Sequence, residues 1–347
     1  MTDAAPDSPP PSVRPAGVLF SANDAVFDWT VAYLESYRAH NPDLPLAWMP
    51  FDDRCERVAA LADDYAFTTY EDPAFERLEA IGRTLDLGLT AYGPRWFRRY
   101  AAFWGPFERF VYQDCRQLVL CDLTEFVGAS EQYGFDLLHF DCAIDQVYEP
   151  GPVRREFLRR GRGRGFMSGQ WASRRGLFDL ETLERFAEEC VAVREQMNPR
   201  NTDQFFLNYC CDAGTTVSDE ANDEAGGERP IVTGHFAEVL GDLCRDAWVR
   251  QPGRVYRDQA GVARRWDHGG IDHGKRVPIL HWAGLPLSPA MPEAELFYSY
   301  RNRRDGAGRR SIDALRRRAS RPLLRLADKA RRQRQINTLW HRLRGRR

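Results

Sequence analysis

The sequence predicts an α/β fold in which a mostly parallel mixed sheet is flanked by helices. The chain has 347 residues, of which 43% are hydrophobic, so it can bury the core of one large domain or of two modest ones. In its first half, short apolar runs alternate with stretches in which apolar residues recur every three or four positions. The apolar runs end in polar residues, as strands do where they reach the edge of a sheet.

The elements of the first half can be read in order. Residues 1–15 are rich in proline and show no periodicity, so we expect them to be disordered. The run "GVLFSAND" (17–24) predicts a buried strand, and the helix after it carries Trp29, Tyr33 and Tyr37 at helical spacing. "HNPD" ends this helix, "LPLAWMPF" (44–51) predicts a second strand, and helical stretches occupy roughly 54–105.

A third strand is predicted within "RFVYQDCRQLVLCDL" (109–123), where two apolar runs are separated by polar residues that include Asp114. Such a strand places the Asp114 carboxylate at the edge of the sheet. A helix is predicted over 180–197 with Asp179 as its N-cap, followed by a loop rich in glycine and acidic residues over 212–230. Further strands are predicted in "FDLLHFD" (135–141), "GFMSGQWAS" (165–173) and "VPILHWAG" (277–284).

Composition excludes several classes of protein. No apolar run is long enough to span a membrane, and the start of the chain lacks the apolar segment of a signal peptide. The eight cysteines include no Cys-x-x-Cys pair, which favours reduced thiols over a disulfide framework or a zinc site. These features predict a cytoplasmic protein.

The C-terminal segment has a separate character. Residues 301–347 contain 18 Lys and Arg against 3 Asp and Glu, whereas the whole chain has a net charge of −1. Ile336, Leu339, Trp340 and Leu343 lie at helical spacing among these arginines, which is typical of a helix that binds an anionic membrane surface. The alternatives are a solvated tail and a nucleic-acid-binding tail, but the acidic body and the lack of a reader motif argue against nucleic acid.

The chain is thus predicted to comprise a disordered start (1–15), one α/β domain (16–300) and an Arg-rich amphipathic helical tail (301–347). Three polar motifs follow predicted strands of the domain: "SAND" (21–24), "QDCR" (113–116) and "HWAG" (281–284). Ligands of parallel sheets bind beyond the carboxyl ends of the strands, so we expect these motifs to line one cleft.

These motifs, in this order, resemble those of the family 8 glycosyltransferases, the group that includes glycogenin and lipopolysaccharide galactosyltransferases. The resemblance spans residues 17–290. "YQDCRQLVLCDL" matches the family's metal motif, which typically reads "YLDADTLVLGDL", and "FMSG" (166–169) resembles its sugar-contacting "F-N-A/S-G". "NTDQFFLN" contains the family's Asp-Gln pair, and "HWAG" resembles its late "H-F-x-G".

The resemblance implies a single GT-A-type domain that binds a nucleoside-diphosphate sugar. It implies that Ser21, Ala22 and Asn23 lie near the base, and that Arg98 or Arg99 is the basic residue upstream of the metal motif. It places Asp203 and Gln204 near the reacting carbon. It also implies that Ser168 and Gly169 contact the donor, and that Asp114 and His281 are ligands of Mn²⁺ or Mg²⁺.

The sequence departs from the family pattern at the metal motif, because Arg116 stands where the second aspartate is expected. One carboxylate and one imidazole make a poor site for Mg²⁺ or Mn²⁺, and an adjacent guanidinium repels a cation. An arginine can instead pair with phosphate oxygens, which predicts catalysis by Arg116 without a metal. Met167 replaces the sugar-contacting asparagine, and the lysine expected after "HWAG" is absent.

For each of these residues the sequence leaves a structural alternative open. Asp114 can be a carboxylate that caps the turn after its strand, and Asp203 can be a simple helix N-cap. Arg116 can point outward and pair with Asp122 or Glu125.

The function predicted from the sequence is glycosyl transfer from a nucleoside-diphosphate sugar, preferably a UDP-sugar, to a glycan, lipid-linked or other cell-envelope acceptor. The tail would hold the enzyme at the inner face of the plasma membrane. The alternative is a non-catalytic protein that binds a sugar nucleotide or a glycan on the same fold. The replacement by Arg116 and the missing lysine favour this alternative.

Overall fold

The computed structural model describes residues 13–85, 93–198, 203–217, 227–247, 249, 254–266 and 270–305. Within these residues the strands, in chain order, are β1 (Arg14–Ala22), β2 (Leu46–Pro50), β3 (Thr68–Thr69), β4 (Phe107–Asp114), β5 (Gln117–Val119), β6 (Leu137–His139), β7 (Gln170–Arg174), β8 (Thr215–Val217), β9 (Glu228–Pro230), β10 (Thr233–His235), β11 (Arg254–Arg257), β12 (Ala263–Trp266) and β13 (Ile279–His281).

Seven of these strands form the main sheet, in the order β10-β6-β7-β4-β1-β2-β3. β1 pairs in parallel with β2 and β4, while β7 runs antiparallel to β4 and β6. Three two-stranded sheets pair β5 with β13, β8 with β9 and β11 with β12. The predicted mixed, mostly parallel sheet is therefore confirmed.

The α-helices that flank the sheet are α1 (Phe27–His40), α2 (Glu56–Ala59), α3 (Ala62–Tyr65), α4 (Phe75–Leu85), α5 (Thr124–Val127), α6 (Ala129–Gln132), α7 (Pro152–Arg159), α8 (Leu180–Val193), α9 (Gln204–Ala213), α10 (Phe236–Val239) and α11 (Ala294–Arg301). A 3-10 helix over Gly93–Trp104 precedes β4, and shorter 3-10 turns occupy Asp24–Val26, Ile144–Gln146 and Arg194–Gln196. In the described part of the chain, no helix has the length and apolarity needed to cross a membrane.

Both faces of the sheet are buried. Along β1, Leu19 packs into one apolar cluster, whereas Val18 and Phe20 pack into the cluster on the opposite face. Phe110 and Val111 divide in the same way along β4. Because side chains alternate between the faces of a strand, a strand covered on both sides reads as a continuous apolar run. This is why "GVLF" and "RFVY" carry no polar alternation.

The described body extends slightly beyond the predicted domain at both ends. β1 begins at Arg14, whose backbone N–H donates to the Pro106 carbonyl at 2.9 Å, so the predicted disordered start gives way to sheet before residue 16. Arg301 pairs with Asp28, and Arg304 pairs with Asp64, so residues 301–305 are anchored to the body. Residues 306–347, the greater part of the predicted tail, lie outside the described residues.

The strand predicted over 165–173 is shorter than expected, because β7 begins only at Gln170. Residues 166–168 lie before the start of β7, while the Gly169 carbonyl still accepts a hydrogen bond from the Asp114 N–H of β4 at 2.8 Å. The Phe166 N–H donates to Asn208 Oδ1 at 2.9 Å, and the Met167 N–H donates to the Asp141 carbonyl at 3.1 Å. Phe166, Met167 and Ser168 of "FMSG" therefore lie outside β7, and Gly169 links the segment to the end of β4.

Candidate functional site

A cleft opens at the carboxyl ends of β1 and β4. The two strands are parallel neighbours, and their register places Ser21 opposite Asp114. The empty space in and above this cleft, which is open to solvent, amounts to about 410 Å³. Its lining includes five of the predicted site residues, and the full set is Ser21, Ala22, Asn23, Val26, Phe51, Trp96, Asp114, Cys115 and Arg116. The predicted convergence of "SAND" and "QDCR" therefore holds in the structure.

One end of the cleft is aromatic and is held by a rigid pair of loops. Phe51 and Trp96 meet there with ring centroids 4.9 Å apart. The loop after β1 is tied to the loop after β2, because the Phe51 N–H donates to the Ala22 carbonyl at 3.1 Å and the Asp24 N–H donates to the Arg54 carbonyl at 2.8 Å. This end suits a flat heteroaromatic group.

The other end is charged. Asp114, at the end of β4, accepts a hydrogen bond from the Tyr112 hydroxyl at 3.0 Å and an ion pair from Arg99 Nη2 at 3.2 Å, both at Oδ1. Burial raises the pKa of Asp114, and Arg99, Tyr112 and Arg116 oppose this rise. The charge of the Asp114 carboxylate is thus already balanced by the Arg99 guanidinium.

Arg99 joins two carboxylates. Its side chain is 3% exposed, and besides Asp114 it contacts Asp203, with Nε 3.6 Å from Oδ2. Arg99 Nη1 also donates to the Ser168 carbonyl at 2.8 Å and to Ser168 Oγ at 3.1 Å. Burial alone would lower the pKa of Arg99, but the two carboxylates outweigh it and raise the pKa. Arg99 therefore remains a cation between Asp114 and Asp203.

Asp203 lies at the N-cap position of α9 but does not act as a simple cap, since its side chain makes no capping hydrogen bond. Its carboxylate instead accepts from the Tyr100 hydroxyl at 2.7 Å and from Ser168 Oγ at 3.3 Å. The structure thus connects Asp203, Ser168 and Asp114, three predicted site residues, through one buried guanidinium.

Arg116 does not pair with the acidic residues that the sequence offered as partners. Glu125 pairs with Arg276 at 2.8 Å, and Asp122 accepts from the Thr124 N–H at 2.8 Å. The Arg116 side chain lines the cleft beside Asp114, and no residue in the described ranges forms a hydrogen bond or ion pair with its guanidinium. A half-buried guanidinium facing a cleft in this way suits an anionic ligand.

His281, at the end of β13, reaches the same place. Its Nε2 lies 3.9 Å from Asp114 Oδ2, and its buried Nδ1 has no hydrogen-bond partner in the described structure. Burial, reinforced by Arg99 and Arg116, lowers the pKa of His281 to about 3, so the imidazole is neutral. A Cβ on Gly169 would lie 2.5 Å from His281 Cε1 and 3.1 Å from Asp114 Oδ2, so only glycine fits there.

The donor set around Asp114 does not fit a divalent metal. The available donors are Asp114 Oδ2 and His281 Nε2, which lie 3.9 Å apart. The other carboxylate oxygen, Oδ1, is already paired with Arg99. Across the described residues, no group of three or more His, Cys, Asp or Glu side chains is arranged to hold a metal ion. Mg²⁺ and Mn²⁺ prefer several oxygen ligands, and here two guanidiniums lie where such ligands would be needed.

Two predicted site residues have other contacts. The Arg98 guanidinium pairs with Glu79 at 2.7 Å and donates to the Pro50 carbonyl at 3.1 Å, so Arg99, the alternative basic residue, is the one that reaches Asp114. Gln204 is buried at the start of α9, where its Nε2 lies 3.4 Å from the Gln146 carbonyl oxygen.

Sequence reasoning missed the hydroxyl groups that orient the two carboxylates. Tyr112 precedes Asp114 by two residues on β4 and therefore lies on the same face of the sheet, which is a signal that the sequence carries. Tyr100 gives no such signal. A second missed network buries Asp141, whose Oδ2 accepts from Gln170 Nε2 at 2.7 Å, while Gln117 Nε2 donates to Gln170 Oε1 at 2.9 Å.

The glycine- and arginine-rich segment 160–165 adjoins the site but is fastened to the body. The Gly163 N–H donates to Asp212 Oδ1 at 3.0 Å, and Arg164 pairs with Glu238 at 2.7 Å. Burial raises the pKa of Asp212 to about 6. Gly161, Gly163 and Gly165 all have positive φ. Glycine adopts this backbone conformation without the steric penalty that a Cβ atom would bring.

The fold of the chain is similar to that of solved protein structures. No protein-family model matches the chain, and no curated protein sequence matches it. Among solved structures, the chain is similar to the galactosyltransferase LgtC in complex with donor and acceptor sugar analogues, with a TM-score of 0.50, 14% sequence identity, and 82% of this chain and 95% of that chain covered. The apo structure of the bifunctional glycosyltransferase WbbM matches with a TM-score of 0.48 and 11% identity, over 87% of this chain and 51% of that one.

The likeness to LgtC shows that the chain has the GT-A-type fold of a glycosyltransferase. The α/β sheet and the fold implied by the resemblance to the family 8 glycosyltransferases are therefore confirmed. The predicted roles of individual site residues stay predictions.

Proposed function

We propose that the protein is a glycosyltransferase that takes a sugar from a nucleoside-diphosphate sugar, preferably a UDP-sugar, and passes it to a glycan, lipid-linked or other cell-envelope acceptor. The single observation that carries the proposal is the Arg116 guanidinium in the cleft at the carboxyl ends of β1 and β4, with which no described residue forms a hydrogen bond or an ion pair. This is the edge at which α/β sheets bind ligands. LgtC, which has the same fold, was solved with donor and acceptor sugar analogues.

The two ends of the cleft match the two ends of such a donor. A nucleobase would stack at the aromatic end formed by Phe51 and Trp96, and the diphosphate would lie at the charged end beside Arg116. As the glycosidic bond breaks, negative charge develops on the diphosphate leaving group. Arg116 would stabilise that charge by bidentate hydrogen bonds, in the role that a divalent ion would otherwise fill.

Asp203 would stabilise the opposite charge. The sugar becomes oxocarbenium-like in such a transfer, and a fixed carboxylate nearby lowers the free energy of that state. Tyr100 and Ser168 donate hydrogen bonds to the Asp203 carboxylate, and the Arg99 guanidinium lies 3.6 Å from it. Because Asp203 is fully buried, we propose that it acts through its electrostatic field, with Gln204 supplying an amide at the same helix terminus.

Binding and transfer separate this proposal from a non-catalytic role. We expect UDP-glucose or UDP-galactose to bind at micromolar to millimolar concentration in isothermal titration calorimetry, and to raise the melting temperature. We also expect slow release of UDP from the bound sugar nucleotide in the presence of a glycan acceptor. Binding without UDP release under any acceptor tested would favour a sugar-nucleotide-binding protein, and no binding of any nucleotide sugar would refute both.

We further propose that the basic tail docks the enzyme on an anionic membrane surface. Because Arg301 and Arg304 are tied to the body, the proposed docking segment is 306–347. We expect the full chain to co-sediment with vesicles that contain phosphatidylglycerol and to be released at high salt. A chain that ends at Asp305 should remain folded and stay in the supernatant. Equal vesicle binding by both chains would rule out this role for the tail.

A further inference from the structure

Asn23 lines the cleft directly after β1, and its side-chain amide forms a hydrogen bond with Asp52. Asn23 is 2% exposed, and Ala22 and Val26 line the cleft beside it. Its Nδ2 donates to Asp52 Oδ2 at 2.9 Å, and no described residue donates a hydrogen bond to its Oδ1. One half of this amide is thus committed to the protein, and the other half is left for a ligand.

An asparagine amide can ordinarily turn over, because its oxygen and nitrogen have nearly the same shape. Here the partner decides the orientation, since an ionised carboxylate only accepts hydrogen bonds. Burial alone would raise the pKa of Asp52, but hydrogen bonds from Arg54 and Asn23 outweigh it and lower the pKa. Asp52 therefore stays ionised, and Asn23 must turn its NH₂ group toward it.

Arg54 fixes Asp52 in turn. Its Nη2 and Nε donate to Asp52 Oδ2 at 2.6 and 3.1 Å, and its backbone N–H donates to Oδ1 at 3.0 Å. The same loop is tied to β1, because Asp24 accepts from the backbone N–H groups of Arg57 and Val58 at the start of α2. The hydrogen bonds that run from Arg54 through Asp52 to Asn23 are therefore in place before any ligand binds.

We propose that Asp52 is a positioning residue for nucleobase selection: it holds the Asn23 amide with its carbonyl oxygen toward the base, so that the cleft prefers bases whose facing ring nitrogen carries a hydrogen. Uracil and guanine present such a ring N–H on the Watson–Crick edge, whereas cytosine and adenine present an acceptor nitrogen there. An acceptor facing Asn23 Oδ1 leaves two oxygen or nitrogen lone pairs opposed and unsatisfied, which is costly in a buried site. This inference rests on the proposed function, in that it assumes a nucleotide occupies this cleft.

The test measures ratios of affinities rather than single affinities, using UDP, GDP, CDP and ADP as probes in calorimetry. We expect the wild type to bind UDP at least about tenfold more tightly than CDP, since a lost hydrogen bond and an unpaired buried group cost a factor of this size or more. Asp52→Asn should bring the UDP-to-CDP ratio close to one, because an amide at 52 can donate or accept and no longer fixes Asn23. Asp53→Asn, an exposed neighbour that removes the same charge, should leave the ratio unchanged.

A second measurement does not depend on any variant folding. UDP methylated at the uracil ring nitrogen cannot donate to Asn23, and the wild type should bind it at least about tenfold more weakly than UDP. Equal wild-type affinity for UDP and CDP, or a UDP-to-CDP ratio that survives in folded Asp52→Asn, overturns the proposal while leaving nucleotide binding intact. Failure of every nucleotide to bind overturns this proposal together with the proposed function.

Discussion

Replacing Arg116 with alanine should weaken UDP-sugar binding roughly tenfold to a hundredfold, as a charge-assisted hydrogen bond to phosphate of about 1.5–3 kcal/mol is lost. The melting temperature of the unliganded protein should change little, because no described residue is paired with this guanidinium. Calorimetry and thermal unfolding of the same samples separate the two effects. The matched control is Arg109→Ala, which removes a partly exposed arginine near the far end of β4, where it pairs with Glu131.

The same residue predicts the response to metal. Wild-type binding should be insensitive to EDTA, whereas Arg116→Asp, which recreates an Asp-x-Asp pair with Asp114, should need added Mn²⁺ for any binding. At about 4 Å two unit charges interact by roughly 4 kcal/mol at an effective dielectric of 20, which is enough to expel a weakly held cation. A collapse of wild-type binding on chelation would show that Asp114 and His281 hold an ion despite the arginines.

The largest effect on stability is expected at Arg99. Arg99→Met should lower the free energy of unfolding by about 3–5 kcal/mol, because it leaves the buried carboxylates of Asp114 and Asp203 without their counter-charge. Urea unfolding followed by circular dichroism measures this loss. Adding Asp114→Asn and Asp203→Asn to the variant should recover much of the stability, since the uncompensated charges are then removed as well.

The neighbouring arginine supplies the control. Arg98 is in the same 3-10 helix and pairs with one carboxylate, Glu79, where both side chains are 15% exposed. Arg98→Met should therefore destabilise the protein less than Arg99→Met, since it leaves one partly exposed carboxylate without its partner rather than two buried ones. If the two substitutions destabilise the protein equally, the pairing of Arg99 with two buried carboxylates is not what makes it important.

The sequence predicts where strands end better than it predicts which of two adjacent side chains faces the site. "SAND" and "QDCR" were predicted to share an edge because apolar runs mark buried strands and parallel strands bring their carboxyl ends together. This logic needs only the order of apolar and polar residues. It therefore located the cleft, Asp114 and Arg116.

The choice between Arg98 and Arg99 could not be made in this way. The segment that carries them is a 3-10 helix with three residues per turn, so positions 96, 99 and 102 share one side. Accordingly Arg99 lies over the Trp96 ring, 4.8 Å from its centroid, and faces the site.

The partners of Arg116 were equally hidden, because they depend on contacts far along the chain. Glu125 is nine residues from Arg116, yet it pairs with Arg276 from the segment before β13. The start of β7 was misplaced for a similar reason, since the N–H groups of Phe166 and Met167 donate to Asn208 on α9 and to the Asp141 carbonyl. Local pattern cannot show which distant group wins a given hydrogen bond.

The buried guanidinium between Asp114 and Asp203 has a consequence for the cell. A counter-cation that is covalently part of the chain has no dissociation equilibrium, so its occupancy does not vary with the supply of manganese or magnesium. Dilution and competition from other chelators cannot remove it. In return, the positive charge at this position cannot be altered by exchanging one metal ion for another. A different charge between Asp114 and Asp203 requires a mutation at Arg99.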